Sequence, residues 1–150
     1  RRSWPRWMPP RPRTARHVAP SRMHVTLHFL GAVERARVVA IADGLQVHAA
    51  PCVVRFDAAA LWPHDLAVIL ALQPPLALLD LHAALASRLR ALGIAVEARP
   101  WRAHVTLARD AMGAVAPSSI APIDWTVDGY ALVESRPPAQ GGYAVLQTWP

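Results

Sequence analysis

Apolar positions in this chain fall into short runs whose period switches between two and about 3.6 residues. From Met23 to Leu30 they alternate with His and Thr, the rhythm of a half-buried strand, and Gly31 closes the run. Over Glu34–Val47 the apolar residues Val38, Ile41, Ala42 and Leu45 recur at helical spacing. Pro51 interrupts. Val53–Leu61 and Leu66–Leu72 then read as strands on either side of a Trp-Pro-His-Asp turn. Pro74 and Pro75 open a second helix with Leu76, Leu79, His82, Ala83, Ala86 and Leu89 on one face, and Gly93 suits its C-terminal cap. His104–Arg109 reads as a further strand. Trp125–Glu134 and Tyr143–Trp149 read as a hairpin around residues 137–142.

The order is strand, helix, strands, then helix, strand, strands. Such mixing predicts an α+β fold. The similarity of the two halves predicts a pseudo-twofold arrangement around a cleft. At 150 residues the chain fits one domain or two small lobes sharing a core. Residues 1–22 stand apart. They hold five prolines and seven arginines with no apolar period, and are expected to be an extended or disordered tail. Residues 23–150 are expected to be one bilobal domain.

Composition removes several options. No apolar run approaches the roughly 20 residues of a membrane helix, and the basic start lacks the apolar segment of a secretory signal. Cys52 is the only cysteine, which excludes an internal disulfide and a cysteine-based zinc cluster and fits a reducing cytoplasm. The net charge of +6 suggests nucleic acid, but all sixteen basic residues are arginine and seven lie in the acid-free first 22 residues. The rest of the chain holds nine arginines against ten acids, a net of −1. The charge of the tail is therefore no argument that the body binds a phosphate backbone.

The tetrapeptide His-Val-Thr-Leu occurs twice, at His24–Leu27 and His104–Leu107. Alternate strand residues share a face, so each copy offers an imidazole beside a hydroxyl. With an unperturbed pKa of about 6.5, one imidazole can accept a proton near neutral pH while its partner donates one. A cyclic phosphodiester fits such a pair: water attacks phosphorus as a ribose alkoxide departs. The hydroxyls of Thr26 and Thr106 can bond the non-bridging oxygens, and Arg109 can neutralise their charge with its planar fork. The reaction needs no metal, and no cofactor is expected.

The segments H-V-T-L-H-F-L-G at 24–31 and R-P-W-R-A-H-V-T-L-A-R at 99–109 resemble the two signature motifs of the 2H phosphoesterase superfamily. The branch they resemble is the RNA 2′,3′-cyclic phosphodiesterases, also called 2′–5′ RNA ligases. The similarity runs from about Val18 to the C-terminus and includes V-D-G-Y-A-L-V-E-S-R at 127–136. The resemblance implies a bilobal α+β fold with two antiparallel sheets lining a cleft and helices outside. It implies His24 as proton donor, His104 as proton acceptor, Thr26, Thr106 and Arg109 as phosphate-binding groups, and Phe29 as a nucleobase contact. It also implies a 2′-phosphomonoester product, with ligase chemistry as a possible side activity, and RNA or nucleotide ends carrying a 2′,3′-cyclic phosphate as partners. No obligate protein partner is expected, and the chain is expected to be a monomer. The family carries an apolar strand and a helix before the first motif where this chain has its Arg/Pro segment. A sheet without that strand would have an exposed edge.

Competing readings are concrete. His24, His28 and His104 could ligate a hydrolytic metal, although neither motif supplies a carboxylate. The chain could be a nucleotide-binding module that has lost turnover through its altered N-terminus. His28 is expected on a rim without a chemical role, His64 in a turn, His82 half-buried on a helix, and His17 and His48 in solvent. Arg109 could pair with Asp110 instead of a phosphate. Phe29, opposite in parity to His24, could be core, and the six tryptophans are expected to serve packing.

Overall fold

The computed structural model describes residues 15–150 and divides into two compact units. The first takes the described residues up to Thr26 with Arg55–Gln73 and Trp101–Trp125; the second takes Leu27–Val54, Pro74–Pro100 and Thr126–Pro150. The elements mix helix with antiparallel strands, so the α+β class stands. No helix among the described residues is long and apolar enough to cross a membrane.

The first unit is built on a four-stranded sheet ordered β1 (Arg16–His17), β5 (His104–Arg109), β4 (Leu66–Leu70) and β3 (Ala58–Trp62), each pair antiparallel. The all-apolar run Leu-Ala-Val-Ile-Leu makes β4 a central strand. Its residues Ala67–Leu70 are buried, as expected of a strand covered on both faces. The β3–β4 turn puts His64 and Asp65 at φ 65° and 55°, a left-handed pair that His and Asp tolerate better than branched residues. The turn is where the sequence placed it except at Trp62, which was read as a turn residue and is the last paired residue of β3, opposite Leu66.

The run read as one strand over Val53–Leu61 is two. β2 (Cys52–Phe56) pairs with β6 (Ile123–Val127) in a separate two-stranded sheet, and Asp57 makes the corner before β3. The Asp57 backbone N–H donates to Leu70 O at 3.1 Å. Its carboxylate accepts from the Leu72 N–H at 3.0 Å, so a local side-chain cap breaks the run.

The Arg/Pro segment lies outside the described residues as far as residue 14. Beyond it the chain does not continue as a tail: Arg16 and His17 pair with Arg109 and Ala108, and Pro20–Arg22 forms a 3₁₀ turn. His17, expected in solvent, is half-buried with both ring nitrogens shielded.

In the second unit, α1 (Val38–Gly44) and α2 (Leu76–Ala91) pack with the C-terminal hairpin around Ile41, Leu45, Leu81, Leu85, Leu89, Ile94 and Trp149. The buried face of α2 is Leu78, Leu81, Leu85, Ala86 and Leu89, whereas Leu76 and Leu79 are exposed. The expected face was thus misplaced, because this helix is apolar nearly all round and spacing alone does not select a side. Its end follows the sequence. Gly93 sits at φ 73°, its N–H bonds Arg90 O, and the Ile94 N–H bonds Leu89 O, a Schellman closure with Leu89 and Ile94 both in the core. The hairpin of β7 (Tyr130–Ser135) and β8 (Tyr143–Trp149) forms as expected. The strand read over Trp125–Glu134 divides at Asp128–Gly129, and a Cβ on Gly129 would collide with the Trp149 carbonyl oxygen.

Candidate active site

The second motif lies on β5, and its burial alternates: Val105 and Leu107 are buried while His104 and Thr106 are half-buried on the opposite face. Simple parity would put Arg109 with Val105, away from His104. The ladder prevents this. Val68 pairs with Thr106 but Ala67 pairs with Ala108, so β5 carries one extra residue at Leu107. A bulge re-phases the strand beyond it, which explains why Leu107 and Ala108 are both buried and returns Arg109 to the face of His104 and Thr106. Arg109 is exposed and has no ion-pair partner among the described residues; Asp110 is taken by Arg16, so the expected alternative pair does not form.

The first motif departs from expectation. Met23–Leu30 joins no sheet, although Met23 has extended dihedrals (φ −70°, ψ 129°) and burial still alternates through His24 (exposed), Val25 (half-buried) and Thr26 (exposed). Strand rhythm in a sequence records which side chains are covered, not whether a ladder partner is present. A bend at Leu27 ends the alternation. Beyond it His28 is not a rim residue: its Nε2 donates to the His82 carbonyl oxygen at 2.8 Å, and the two imidazoles stack with centroids 4.1 Å apart. Burial first, and the neighbouring His28 second, hold the His82 imidazole down at about 4. Phe29 is 84% exposed, which removes the core reading and leaves its ring accessible.

Both motif histidines are anchored in the same way. His24 Nδ1 lies 2.7 Å from Arg22 O, and His104 Nδ1 lies 2.8 Å from Arg102 O. A carbonyl can only accept, so each Nδ1 carries the proton, and Nε2 of each ring is the atom with a lone pair when the ring is neutral. The repeat is therefore a hexapeptide, Arg-x-His-Val-Thr-Leu, with Arg22 and Arg102 at the anchoring positions. Four residues of sequence were read where six repeat.

Three further contacts were not read from the sequence. The Trp101 indole N–H donates to Thr26 O at 3.0 Å, bringing the approach to β5 against the first motif within one unit. The Trp62 ring packs on the His104 imidazole, centroids 4.4 Å apart and tilted by 54°. The Arg102 guanidinium lies 5.2 Å over the same indole. The metal reading finds no such support: among the described residues no three His, Cys, Asp or Glu side chains stand close enough to hold an ion. A cavity of about 510 Å³ in the second unit, lined in part by His48, Arg88 and Trp149, contains none of the residues expected to bind or turn over a substrate.

The α+β fold and the two His-x-Thr segments, each histidine oriented by a backbone carbonyl, are those of the 2H phosphoesterase class. The chain is a member of the 2′–5′ RNA ligase superfamily, whose sequence model matches residues 3–137. An RNA 2′,3′-cyclic phosphodiesterase of Escherichia coli (strain K12) is 34% identical over 107 residues, 69% of this chain. The match spans only 60% of that relative's length. Among solved structures, one described as a phosphoesterase is similar with a TM-score of 0.80 and 28% identity, over 91% of this chain and 80% of that one. E. coli LigT complexed with 3′-AMP is similar with a TM-score of 0.76 and 27% identity, over the same shares. LigT complexed with ATP gives the same TM-score and identity.

Proposed function

We propose that this protein hydrolyses the 2′,3′-cyclic phosphate of RNA or nucleotide ends to a 2′-phosphomonoester, using His104 as general base and His24 as general acid. One observation carries the reading: His24 and Thr26 share one compact unit with His104 and Thr106, tied by the Trp101–Thr26 bond, and each histidine is locked in the same tautomer. The relatives named as a cyclic phosphodiesterase and as a nucleotide-bound LigT support the substrate class.

In the step, His104 Nε2 removes a proton from water as its oxygen bonds to phosphorus. The bond from phosphorus to the 3′-oxygen breaks, and His24 Nε2, protonated at the start, gives its proton to that oxygen. Proton exchange with solvent then restores both rings. Thr26 and Thr106 hydroxyls donate to the non-bridging oxygens, and Arg109 offsets the charge that builds on them. Each proton transfer is worth roughly 10²–10⁴-fold in rate. Both rings change charge within one cycle, so rate falls off on both sides of an optimum.

The test is product analysis on a 2′,3′-cyclic nucleotide in excess EDTA. A 2′-phosphate is expected. A 3′-phosphate would overturn the donor and acceptor assignment, loss of activity with EDTA would point to a metal, and binding of 2′-AMP without turnover would make the chain a nucleotide-binding module.

A further inference from the structure

We propose that Trp62 is a positioning residue for His104, fixing the imidazole and stabilising the cation it becomes on taking a proton; this rests on His104 being the general base. Trp62, His104 and Arg102 form a closed set of contacts. The Arg102 carbonyl anchors His104 Nδ1 at 2.8 Å, the Trp62 ring packs on the His104 ring at 4.4 Å, and the Arg102 guanidinium lies 5.2 Å over Trp62.

Trp62 pairs with Leu66, His104 pairs with Leu70, and Leu66 and Leu70 share a face of β4, so indole and imidazole lie on one side of the sheet. β4 stands between β3 and β5, so only a long side chain spans the gap. Trp62 is fixed at its base as the last pair before a tight turn. That turn is held in place where the Ala111 N–H donates to Asp65 O at 2.9 Å.

An indole face is electron-rich and attracts a cation more than a neutral ring. A neutral His104 gains little from it, whereas the imidazolium formed during the step gains more. This is stabilisation that grows along the reaction, so it raises kcat and leaves KM nearly unchanged. Arg102 is a permanent cation on the same indole, where it competes with the imidazolium for the electron-rich ring and so opposes the effect. The groups around His104 thus pull in opposite directions: Trp62 toward the protonated ring, Arg102 away from it.

The experiment is kcat and KM for a 2′,3′-cyclic nucleotide across pH, for wild type, Trp62→Leu, Trp62→Phe and Arg102→Gln, with His104→Ala in parallel. Trp62→Leu is expected to lose about tenfold in kcat with KM within about twofold, and to move the acidic limb to lower pH. Trp62→Phe keeps an aromatic face and recovers most of the loss. Arg102→Gln keeps the anchoring carbonyl and moves the acidic limb the other way. A Trp62→Leu enzyme with wild-type kcat and acidic limb, beside an inactive His104→Ala, overturns the inference alone. If Trp62→Leu does not fold, an unmoved limb in Arg102→Gln overturns it. An inactive wild type, or an active His104→Ala, overturns the function instead.

Discussion

His104 places its Nδ1 2.8 Å from the carbonyl oxygen of Arg102, and His24 repeats the arrangement with Arg22 at 2.7 Å. The acceptors are backbone atoms, so the tautomer survives any change in the arginine side chains. What the chain commits to the site at these two points is geometry, with proton chemistry left to Nε2.

The first expectation concerns the histidines themselves. His24→Ala and His104→Ala each remove one proton-transfer group and should lower kcat by about 10²–10⁴-fold, with unchanged melting temperature. The double variant should fall well short of the product of the two losses, because the groups act as a unit. Steady-state kinetics on a cyclic nucleotide, with thermal melts beside them, checks this. Near-wild-type turnover in either single variant would end the acid–base reading.

Trp101 offers a test of how the first motif is held. Trp101→Phe keeps most of the ring but removes the N–H that donates to Thr26 O. Loss of one such bond costs about 1 kcal/mol, or roughly 2–4 °C in melting temperature for a chain of this size. Activity should fall further than that cost implies, because Thr26 and His24 sit on the segment it ties down. Equal stability with equal kcat would show that the bond positions nothing.

Arg109 tests the bulge. If the extra residue at Leu107 turns its guanidinium to the His104 face, Arg109→Ala should lower kcat/KM by roughly 10²-fold, with Lys recovering part of it as a point charge lacking the planar fork. Deleting Leu107 would restore plain alternation and leave Arg109 on the His104 face, so that variant should keep the effect of Arg109 on kcat/KM. An Arg109→Ala enzyme with normal kcat/KM would place this side chain outside the chemistry.

Much of this was legible in the sequence and some was not, for identifiable reasons. The β4 run, the Pro-His-Asp turn, the Gly93 cap and the C-terminal hairpin are local signals, and they appear where they were read. The matched His-Thr pairs are local too. The face of Arg109 was hidden because a bulge is a property of pairing with β4, and no pattern within β5 announces it. Trp62 escaped because it meets His104 across an intervening strand, 42 positions away along the chain. The buried face of α2 was misread since its apolar residues nearly encircle the helix. His28 kept strand parity on paper but lies past the Leu27 bend.

The His28–His82 pair gives a pH dependence separate from catalysis. The His82 imidazole is held down at about 4 by burial, then by His28, against an ordinary value near 6.5 in the unfolded chain. Between these values the unfolded chain binds the proton and the folded chain does not, so stability rises with pH through that window. It is fully present above about 6.5 and is lost as pH falls toward 4. Asp124, Glu97 and Glu134 are also held below the ordinary carboxylate range by their Arg55, Arg99 and Arg136 partners, but their contribution is lost only below about 4.5. Urea midpoints at pH 7, 5.5 and 4 separate the two windows. His82→Gln removes the group that titrates and should flatten the fall between pH 7 and 5.5 while leaving any loss below 4.5 in place. A fall from pH 7 to 5.5 as steep in His82→Gln as in wild type would mean that the stacked pair is not its source.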